Sequence, residues 1–421
     1  MARKMKDSGI EWIGEIPEGW SIARGKHILT LLQRAVFPTD GVITCFRDGE
    51  VTLRSNRRED GFTVSLKEIG YQGIEPGDLV VHGMDGFAGS IGISDSRGKS
   101  SPVLVVLDSS QDKKYLMYYL RSMAYNNVFL ALSTGIRVRS CDLKWNKLAD
   151  LLYLVPPIVE QHKLVSFLDE KCSEIDAMLS KTHASIEKYK KLKQAVITQA
   201  VTKGVRGERE MKDSGVEWIG EIPKEWVCEK IKYATSISRG LFNHRPRNDE
   251  RYYNGKYPFI QTSDVANATK YIVSYSQTLN ELGKSVSKEF PKGTLTMTIA
   301  ANVGDVAILN FDAYFPDSVV GFIPNKNIRT LYLFYVFSAM KDEFTRTAIK
   351  NTQLNLNIDR VKETFIPVTL DSNEQCEIEN YLESKCAEID GLIAKKEQLV
   401  KELESYKKSL IYEVVTGKRE V

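Results

Sequence analysis

Two stretches of the chain carry apolar residues at spacings that alternate between four and three. One stretch lies near the middle of the sequence and the other lies at its end. This heptad pattern is typical of a long helix that packs on another helix. The residues assigned to the interface between the helices are Leu168, Cys172, Ile175, Leu179 and Ile186 in the first stretch, and Leu382, Cys386, Ile389, Ile393, Val400 and Leu403 in the second.

Each predicted helix is about 40 residues long, which corresponds to ~60 Å at 1.5 Å per residue. Neither stretch contains a proline. Because a small domain cannot cover a helix of this length, the two helices are expected to pair with each other rather than with a second molecule.

The distribution of charge predicts the direction of this pairing. Residues 160–176 carry five acids and two lysines, whereas residues 181–203 carry six lysines and one acid. Residues 374–390 carry six acids and one lysine, and residues 395–414 carry five lysines and four acids. An antiparallel arrangement places the acidic part of each helix beside the basic part of the other.

The helices belong to a larger internal repeat. Residues 5–20 return as residues 211–226 with 13 of 16 positions identical, and Glu160-Gln161 returns as Glu374-Gln375 at the start of the second helix. Each half therefore runs from a shared opening through a variable body to a shared helix. By symmetry, the end of the second helix is expected near the first opening segment. The predicted boundaries are a first body at 1–155, a central helix at 156–204, a second body at 205–369 and a C-terminal helix at 370–421.

Both bodies contain short apolar runs bounded by turn residues, which predict strands. These runs lie at residues 77–82, 90–94 and 102–107 in the first body, and at 293–300, 304–309 and 318–324 in the second. Helical stretches at 114–124 and 331–348 follow them. The expected fold is α+β, with two similar bodies separated by two long antiparallel helices in a quasi-twofold internal repeat.

Composition limits the class of protein. A length of 421 residues with 42% hydrophobic content supports two or more domains with real cores. No apolar run is long enough to span a bilayer and no signal-peptide pattern is found, so a cytoplasmic location without membrane contact is expected. The six cysteines include no C-x-x-C pair, which favours buried packing residues over disulfides, zinc ligands or reactive thiols.

The loops of the two bodies differ, and each body contains a cluster of Arg with Asn or Gln. In the second body Phe242, Tyr252 and Tyr253 are interleaved with this cluster. A single Arg cluster is usually a solvated surface, but a cluster in each body favours DNA contact, because Arg reads guanine and Asn or Gln reads adenine. The predicted DNA contacts are Arg54, Arg57, Arg58, Arg137 and Arg139 in the first body, and Arg239, Asn243, His244, Arg245, Arg247 and Gln353 in the second.

No catalytic signature is found. The sequence contains neither H-E-x-x-H nor G-x-S-x-G, and it lacks the N/D-P-P-Y/F motif of amino-methyltransferases. Residues 92–100 resemble a P-loop, but five residues separate the glycines where four are required. No catalytic, cofactor-binding or metal-binding residue is therefore assigned.

Taken together, the motifs resemble the specificity subunits of type I restriction-modification systems over essentially the whole chain. They are the opening M-K-D-S-G-x-E-W-I-G-x-I-P, the helix start P-P-x-x-E-Q at 156–161, the stretch F-L-D-E-K-C-x-E-I-D from Phe167, and Y-P-F-I-Q-T-S-D at 257–264. Residues 352–356 together with Pro367 also resemble the exit from a target-recognition domain of this family.

The resemblance implies a non-catalytic adaptor in which two target-recognition domains each read one half of a split DNA sequence and the helix pair sets the gap. It implies double-stranded DNA and two adenine methyltransferase subunits as partners, and the complex can also include two restriction/translocase subunits. The cofactors S-adenosylmethionine, ATP and magnesium would be held by those partner subunits, with none in this chain.

Two other classes of function remain open from the sequence. A self-sufficient metal-dependent DNA nuclease would cut DNA with magnesium alone. A coiled-coil scaffold with protein-binding heads would bind DNA no better with a methyltransferase subunit than without it.

Overall fold

A computed structural model describes residues 3–57, 68–131, 143–244, 249–300, 302–347, 349–350 and 354–421, with the side chains of 347, 349–350 and 354–355 excepted. Contacts divide the chain into two compact units. Unit 1 is Met1–His183 with Glu397–Val421, and unit 2 is Ala184–Lys396. Each unit therefore contains one strand-rich body and one part of each long helix.

Unit 1 is built on short strands and one long helix. Its strands are β1 (Met5–Asp7), β2 (Glu15–Pro17), β3 (Ser21–Arg24), β4 (Leu29–Leu31), β5 (Ile43–Cys45), β6 (Val51–Leu53), β7 (Gln72–Ile74), β8 (Leu79–His82), β9 (Ile91–Ile93), β10 (Gly98–Ser100), β11 (Leu104–Ser109) and β12 (Leu152–Val155). Its helices are α1 (Gly25–Ile28), α2 (Lys113–Tyr125), α3 (Val128–Ala131), α4 (Trp145–Asp150) and the first part of α5 (Ile158–Lys203).

The main sheet of unit 1 is antiparallel, with the strand order β4-β11-β8-β9. Both faces of β11 are covered. Val105 and Leu107 belong to the core that contains α2, whereas Leu104 and Val106 belong to a second core with β5 and β6. Burial on both faces explains why this strand is a continuous apolar run rather than an alternating one.

Unit 2 repeats this framework and adds to it. Its strands are β13 (Met211–Asp213), β14 (Glu221–Pro223), β15 (Val227–Lys230), β16 (Thr235–Arg239), β17 (Tyr253–Phe259), β18 (Tyr271–Ile272), β19 (Gln277–Leu279), β20 (Glu289–Phe290), β21 (Leu295–Thr298), β22 (Val306–Leu309), β23 (Ala313–Tyr314), β24 (Val319–Pro324), β25 (Ile349–Lys350), β26 (Leu354–Asn355) and β27 (Phe365–Val368). Its helices are α6 (Ile231–Ala234), α7 (Thr262–Asn267), α8 (Glu281–Ser285), α9 (Thr330–Ala339), α10 (Lys341–Thr347), α11 (Ile358–Glu363) and α12 (Ser372–Val415), of which α12 continues into unit 1.

The order β16-β24-β21-β22 in unit 2 corresponds to β4-β11-β8-β9 in unit 1, and β18 extends the unit 2 sheet by a parallel pairing with β22. A further sheet, β19-β17-β23-β20, has no counterpart among the described strands of unit 1. The predicted strand runs and the predicted helix at 114–124 are confirmed by β8, β9, β11, β21, β22, β24 and α2.

The helical stretch predicted at 331–348 consists of two helices rather than one. The chain forms α9 and α10, which are separated at Met340. Met340 is fully buried, and the turn there brings Phe344 against Phe337 with ring centroids 5.7 Å apart. Burial of these three side chains in the unit 2 core offsets the break in the helix.

The two opening segments fold alike. Met5 pairs with Pro17 in the β1-β2 hairpin, and Met211 pairs with Pro223 in β13-β14. In unit 1 the end of α12 packs on the opening segment, where the Tyr412 hydroxyl donates to the Trp12 carbonyl at 3.1 Å. The end of the second helix thus contacts the first opening segment, as the internal symmetry predicts.

The helices α5 and α12 contain 46 and 44 residues, which correspond to about 69 and 66 Å. Asp176 on α5 pairs with Lys407 on α12 at 2.6 Å in unit 1, and Lys193 on α5 pairs with Asp390 on α12 at 2.7 Å in unit 2. The repeat relates these two ion pairs to each other. Because the later residue of α5 pairs with the earlier residue of α12, the helices run antiparallel, and the predicted α+β class with two long packed helices is confirmed.

The residues predicted for the helix interface lie along the packed faces. Leu168, Cys172 and Ile175 share a core with Leu410 of α12 in unit 1. Eight of the predicted residues are buried and three are half-buried. The buried ones are Leu168, Cys172, Ile175, Ile186, Leu382, Cys386, Ile389 and Val400, and the half-buried ones are Leu179, Ile393 and Leu403.

Candidate nucleic-acid interface

The β5-β6 hairpin forms one wall of a cleft in unit 1. Its apolar residues Ile43, Cys45 and Val51 are buried under the sheet, which leaves the hairpin loop at the surface. Asp48 accepts a hydrogen bond from the Glu50 backbone at 3.1 Å. Gly49 has φ +88°, which a glycine adopts without strain, and any side chain there would overlap the guanidinium of Arg121.

Three arginines approach this cleft. Arg57 lies over the Phe46 ring at 4.1 Å and pairs with Asp48 at 2.7 Å. Arg54 donates from Nε to the Thr44 hydroxyl at 3.3 Å. The third arginine is Arg47 on the hairpin loop, which the sequence patterns did not single out. The sequence prediction is thus extended by one guanidinium that only the hairpin geometry brings to the other two.

The lining of the cleft also includes an imidazole and a carboxylate from outside the hairpin. His82 Nδ1 accepts hydrogen bonds from the backbone of Met84 at 3.3 Å and Asp85 at 3.0 Å. Because Nδ1 accepts these two bonds, the neutral ring carries its hydrogen on Nε2. Burial lowers the pKa of His82, which favours this neutral form. Asp85 in turn pairs with Arg47 at 3.0 Å.

The resulting hairpin cleft has a volume of about 910 Å³, and its lining includes Arg47, Arg54, Arg57, His82, Asp48 and Asp85. Guanidinium groups supply hydrogen-bond donors, and the two carboxylates supply acceptors. Such a mixed lining can recognise an edge with both donors and acceptors, whereas a phosphate alone would meet repulsion from the acids.

The predicted residues of unit 2 that the structure describes lie at the end of β16 and just beyond it. Arg239 donates from Nε to the Asp317 carbonyl at 2.5 Å. Asn243 is exposed, and its backbone N–H bonds to Val286 at 3.1 Å. His244 contacts Asp249 through Nε2 at 3.1 Å and is stacked on Tyr252 with ring centroids 4.0 Å apart. The structure therefore brings Asn243 and His244 to one surface.

Two of the three aromatic residues interleaved with this cluster are buried. Phe242 and Tyr253 are buried in a core with Phe259, Leu279 and Tyr314. Their rings fill the space between β17, β19 and β23 and are not available to stack on a base. Tyr252 is the member of the three that remains partly exposed and packs at the edge of this core.

Sequence reasoning missed a group of cations around Tyr257. Lys256 and Lys284 lie over the Tyr257 ring at 5.2 and 4.5 Å, and the side chain of Lys256 is 74% exposed. The Tyr257 hydroxyl donates to Glu281 at 2.7 Å. The adjacent Lys-Tyr pair was the sole signal in the sequence, because α8 brings Lys284 from a separate segment.

Six of the predicted contacts lie outside the described residues. They are Arg58, Arg137, Arg139, Arg245, Arg247 and Gln353. Cys141 also lies outside them, and the other five cysteines are free thiols. Within the described part of the chain, no group of three His, Cys, Asp or Glu side chains could hold a metal ion. No described helix is long and apolar enough to cross a membrane.

Comparison with known proteins identifies the family. Residues 237–402 match the family model of the type I restriction modification DNA specificity domain. The putative type I restriction enzyme MjaX specificity subunit of Methanocaldococcus jannaschii is 23% identical, over 96% of this chain and 95% of that protein. The EcoKI specificity subunit of Escherichia coli is 22% identical over 54% of this chain and 51% of its own length. The chain belongs to the type I specificity subunits.

Solved structures agree with the fold of this specificity subunit. A chain from a structure on the complex assembly and conformational transition of a type I restriction-modification system matches with a TM-score of 0.74 and 14% identity, covering 96% of this chain and 99% of that one. The HsdS subunit of Thermoanaerobacter tengcongensis matches with a TM-score of 0.50 and 14% identity, covering 96% and 98%.

Membership of this family decides between the classes that the sequence left open. Type I specificity subunits are non-catalytic, and the cofactors of their complexes reside in the methyltransferase and restriction subunits. The chain is therefore neither a self-sufficient nuclease nor a general protein scaffold, but the DNA-recognition component of a larger assembly.

Proposed function

We propose that this specificity subunit reads a split DNA sequence, with the body of unit 1 reading one half and the body of unit 2 reading the other. The observation that carries this proposal is a shared framework with different surfaces. Strand orders and opening hairpins repeat between the units, whereas the hairpin cleft of unit 1 and the additional sheet of unit 2 do not. A repeated scaffold with changed surfaces suits two different targets.

The hairpin cleft is proposed to hold base edges in the major groove. Guanine presents two acceptors there, which a guanidinium can bind in a bidentate way, and cytosine presents a donor that suits a carboxylate. Arg47, Arg54 and Arg57 stand beside Asp48 and Asp85 in this cleft. Arg57 and Arg47 are already ion-paired with these acids, so their guanidiniums are oriented before DNA arrives.

The body of unit 2 is proposed to read its half-site through Asn243 and His244, with backbone contacts from neighbouring cations. An Asn side chain can bind adenine through paired hydrogen bonds. The side chains of Lys256 and Arg251 are each 74% exposed, and their positive charge at the surface suits contact with phosphates. The six predicted DNA contacts that lie outside the described residues remain part of the proposal for the two bodies.

The helix pair is proposed to set the gap between the half-sites. Half-sites on one face of B-DNA recur about every 34 Å. Helices of about 69 and 66 Å are long enough to hold two readers at such a spacing and to leave length for partner proteins. The predicted division into recognition domains at 1–155 and 205–369 and helices at 156–204 and 370–421 belongs to this proposal.

The partners in the proposal are double-stranded DNA, two methyltransferase subunits that use S-adenosylmethionine, and restriction/translocase subunits that use ATP and magnesium. The chain is similar to a component of a solved type I assembly, which supports a place in such a complex. DNA methylation in a cell requires the complex where the chromosome lies, so the proposed location is the cytoplasm.

The decisive experiment is mapping of N6-methyladenine by long-read sequencing in cells that carry the chain with its methyltransferase subunit. A split motif with a constant gap that disappears when the chain is deleted is the expected result. Absence of any methylation that depends on the chain would overturn the proposal.

The role of the helices in setting the gap is tested with a separate variant. Insertion of one heptad into α5 together with one heptad into α12 keeps the pairing in register and lengthens both helices. The gap should lengthen while both half-site sequences stay the same. A fixed gap in a variant that still methylates DNA would exclude the helices as the spacing element.

A further inference from the structure

A buried glutamine joins the body of unit 1 to α5. Gln161 has no exposed surface, and its Oε1 accepts a hydrogen bond from the backbone of Asp112 at 2.9 Å. Its Nε2 donates to the Pro156 carbonyl and to Gln111 Oε1, both at 2.8 Å. Asp112 is the residue that precedes α2. One side-chain amide therefore ties the start of α2, the end of the last strand and the start of α5.

The equivalent glutamine of unit 2 makes corresponding contacts. Gln375 is also fully buried, and its Oε1 accepts from the backbone of Arg329, the residue that precedes α9, at 2.8 Å. Its Nε2 donates to the carbonyls of Thr369 and Asn327, both at 2.8 Å. The repeated Glu-Gln motif is thus explained by a structural contact in each unit.

A second polar contact follows eight residues later on each long helix. The Tyr118 hydroxyl of α2 donates to Asp169 of α5 at 2.8 Å, and the Tyr335 hydroxyl of α9 donates to Glu383 of α12. Each carboxylate also receives a lysine. Lys114 of α2 pairs with Asp169 at 2.6 Å, whereas a lysine from a loop of unit 2 pairs with Glu383.

The spacing of the two contacts is the same in both units. Asp112 and Tyr118 are six residues apart, or about 9 Å, and Gln161 and Asp169 are eight residues apart, or about 12 Å. Two contacts at separate points along a pair of packed helices prevent one helix from sliding along the other and from rotating about either contact. Apolar packing alone is non-directional and sets such a register less strictly than hydrogen bonds, whose geometry is directional.

The stability of the fold does not by itself explain these buried polar contacts. Burial of an amide is offset only when all its hydrogen bonds are made, and an apolar side chain of similar size can stabilise a core equally well. The two bodies have diverged in their loops, yet both keep the glutamine and the tyrosine–carboxylate pair at the same register. A requirement for orientation explains this better than a requirement for packing.

We propose that Gln161 with Tyr118–Asp169, and Gln375 with Tyr335–Glu383, are positioning residues that fix each recognition domain on its helix and so confine the gap between the half-sites to one length. This inference rests on the proposed reading of a split sequence. It adds that the constancy of the gap depends on the joint between each body and its helix as well as on the length of the helices.

The test uses the full chain with its methyltransferase subunit and the variants Tyr118→Phe, Gln161→Leu and both together. Loss of one hydrogen bond of ordinary net strength corresponds to about a fivefold change in an equilibrium. We therefore expect methylation of sites whose gap differs by one base pair to rise by about fivefold relative to the parent chain for a single variant. The half-site sequences should stay unchanged.

Tyr119→Phe is the matched control. Tyr119 is a fully buried residue of the same helix, but its hydroxyl donates to the Leu152 carbonyl of the body at 2.9 Å rather than to a residue of α5. This variant should lose similar stability and keep the gap constant. In unit 2, Tyr335→Phe and Tyr332→Phe form the same comparison, because the Tyr332 hydroxyl donates to the Pro367 carbonyl at 3.1 Å.

The outcomes separate this inference from the proposed function. A parent chain that produces no split motif overturns both. A split motif whose gap stays fixed in the positioning variants overturns the inference alone, as does a gap that broadens equally in the Tyr119→Phe control. If the double variant abolishes methylation, the single variants Tyr118→Phe and Tyr335→Phe test the inference instead. Each removes one oxygen atom without leaving a cavity.

Discussion

In the two units, different residues accept the hydrogen bond from the same backbone N–H group in the first turn of a helix. The N–H of Tyr115 in the first turn of α2 bonds to the side chain of Asp112 at 3.1 Å. The N–H of Tyr332, at the matching position of α9, bonds instead to Glu379 of α12 at 3.0 Å, and Arg329 also donates to Glu379. In one unit the body caps its own helix, and in the other the long helix supplies the cap.

A second difference lies at the start of the long helices. Arg209 pairs with Glu374 at 2.6 Å, and Trp226 Nε1 donates to the same carboxylate at 2.9 Å. The matching pair in unit 1 is Arg3 with Glu160, also at 2.6 Å. Glu374 is 1% exposed, whereas Glu160 is 25% exposed. The two units therefore share a geometry but hold it with interactions of unequal strength, which measurements on matched variants can compare.

The largest expected effect follows from removal of Arg209, the cation that pairs with the buried Glu374. Arg209→Met leaves the Glu374 carboxylate buried, with Arg206 at 3.9 Å as a distant replacement, and should destabilise unit 2 by about 3 kcal/mol. Arg3→Met should cost unit 1 about 1 kcal/mol or less, because water screens the Arg3–Glu160 pair. Hydrogen exchange of the β14 and β2 segments measures each unit separately. Equal losses in both units would contradict the comparison.

Removal of the two caps should give a smaller difference. Glu379→Ala takes away the acceptor for the Tyr332 N–H and the partner of Arg329, so it should cost about 2 kcal/mol. Asp112→Ala should cost about 1 kcal/mol, the usual value for an N-cap. Thermal unfolding with exchange readouts on α9 and α2 checks the order. A larger loss for Asp112→Ala would show that the long helix does not supply the main cap in unit 2.

The recognition surfaces should respond one half-site at a time. Arg57→Ala removes a guanidinium from the hairpin cleft and should weaken binding by about 1 kcal/mol, or fivefold, with relaxed specificity in one half of the motif alone. Asn243→Ala should act on the other half alone. DNA binding by the assembled complex, measured on duplexes mutated in each half, tests this. Loss of specificity in both halves from one variant would reject the assignment of one body to each half-site.

The smallest expected effect depends on pH. Hydrogen bonds from Lys230 at 2.7 Å and Lys232 at 2.5 Å lower the pKa of Glu363 from its ordinary 4.5 to about 2. Because the pKa is lower in the folded state, this carboxylate stabilises the fold above pH 4.5, and the contribution is lost as the pH falls from 4.5 to about 2. Glu363→Gln should reduce the acid sensitivity of β15 in this window.

The matching site in unit 1 provides the control for that measurement. Arg24 and Asp150 are 3.9 Å apart, and both side chains are largely exposed. Asp150→Asn should leave the acid sensitivity of β3 nearly unchanged, since exposed pairs contribute little. Hydrogen exchange between pH 2 and 5 records both segments in one sample. An equal response of β3 and β15 to acid would contradict the proposal that Glu363 causes the acid sensitivity of β15.

Part of the interface was predictable from the sequence, and the reason is local. Arg54 and Arg57 are three residues apart and flank one short turn, so their common location follows from chain connectivity. Arg47 joins them through the β5-β6 hairpin, and His82 joins them only because this hairpin packs beside β8. No local pattern distinguishes Phe242, which is buried, from an exposed aromatic residue, because the sheet that covers it forms from distant strands.

By itself, the sequence determined the internal repeat, the two long helices, their antiparallel pairing and the strands of both bodies. These features can be recognised from sequence identity, from periodic apolar positions and from the distribution of charge, all of which are visible in the linear sequence. The tertiary structure alone decided which residue caps α9, which cations reach Tyr257 and how Gln161 and Gln375 join each body to its helix. Those contacts join residues far apart in sequence, and a hydrogen bond forms only where folding brings donor and acceptor within about 3 Å at the right angle.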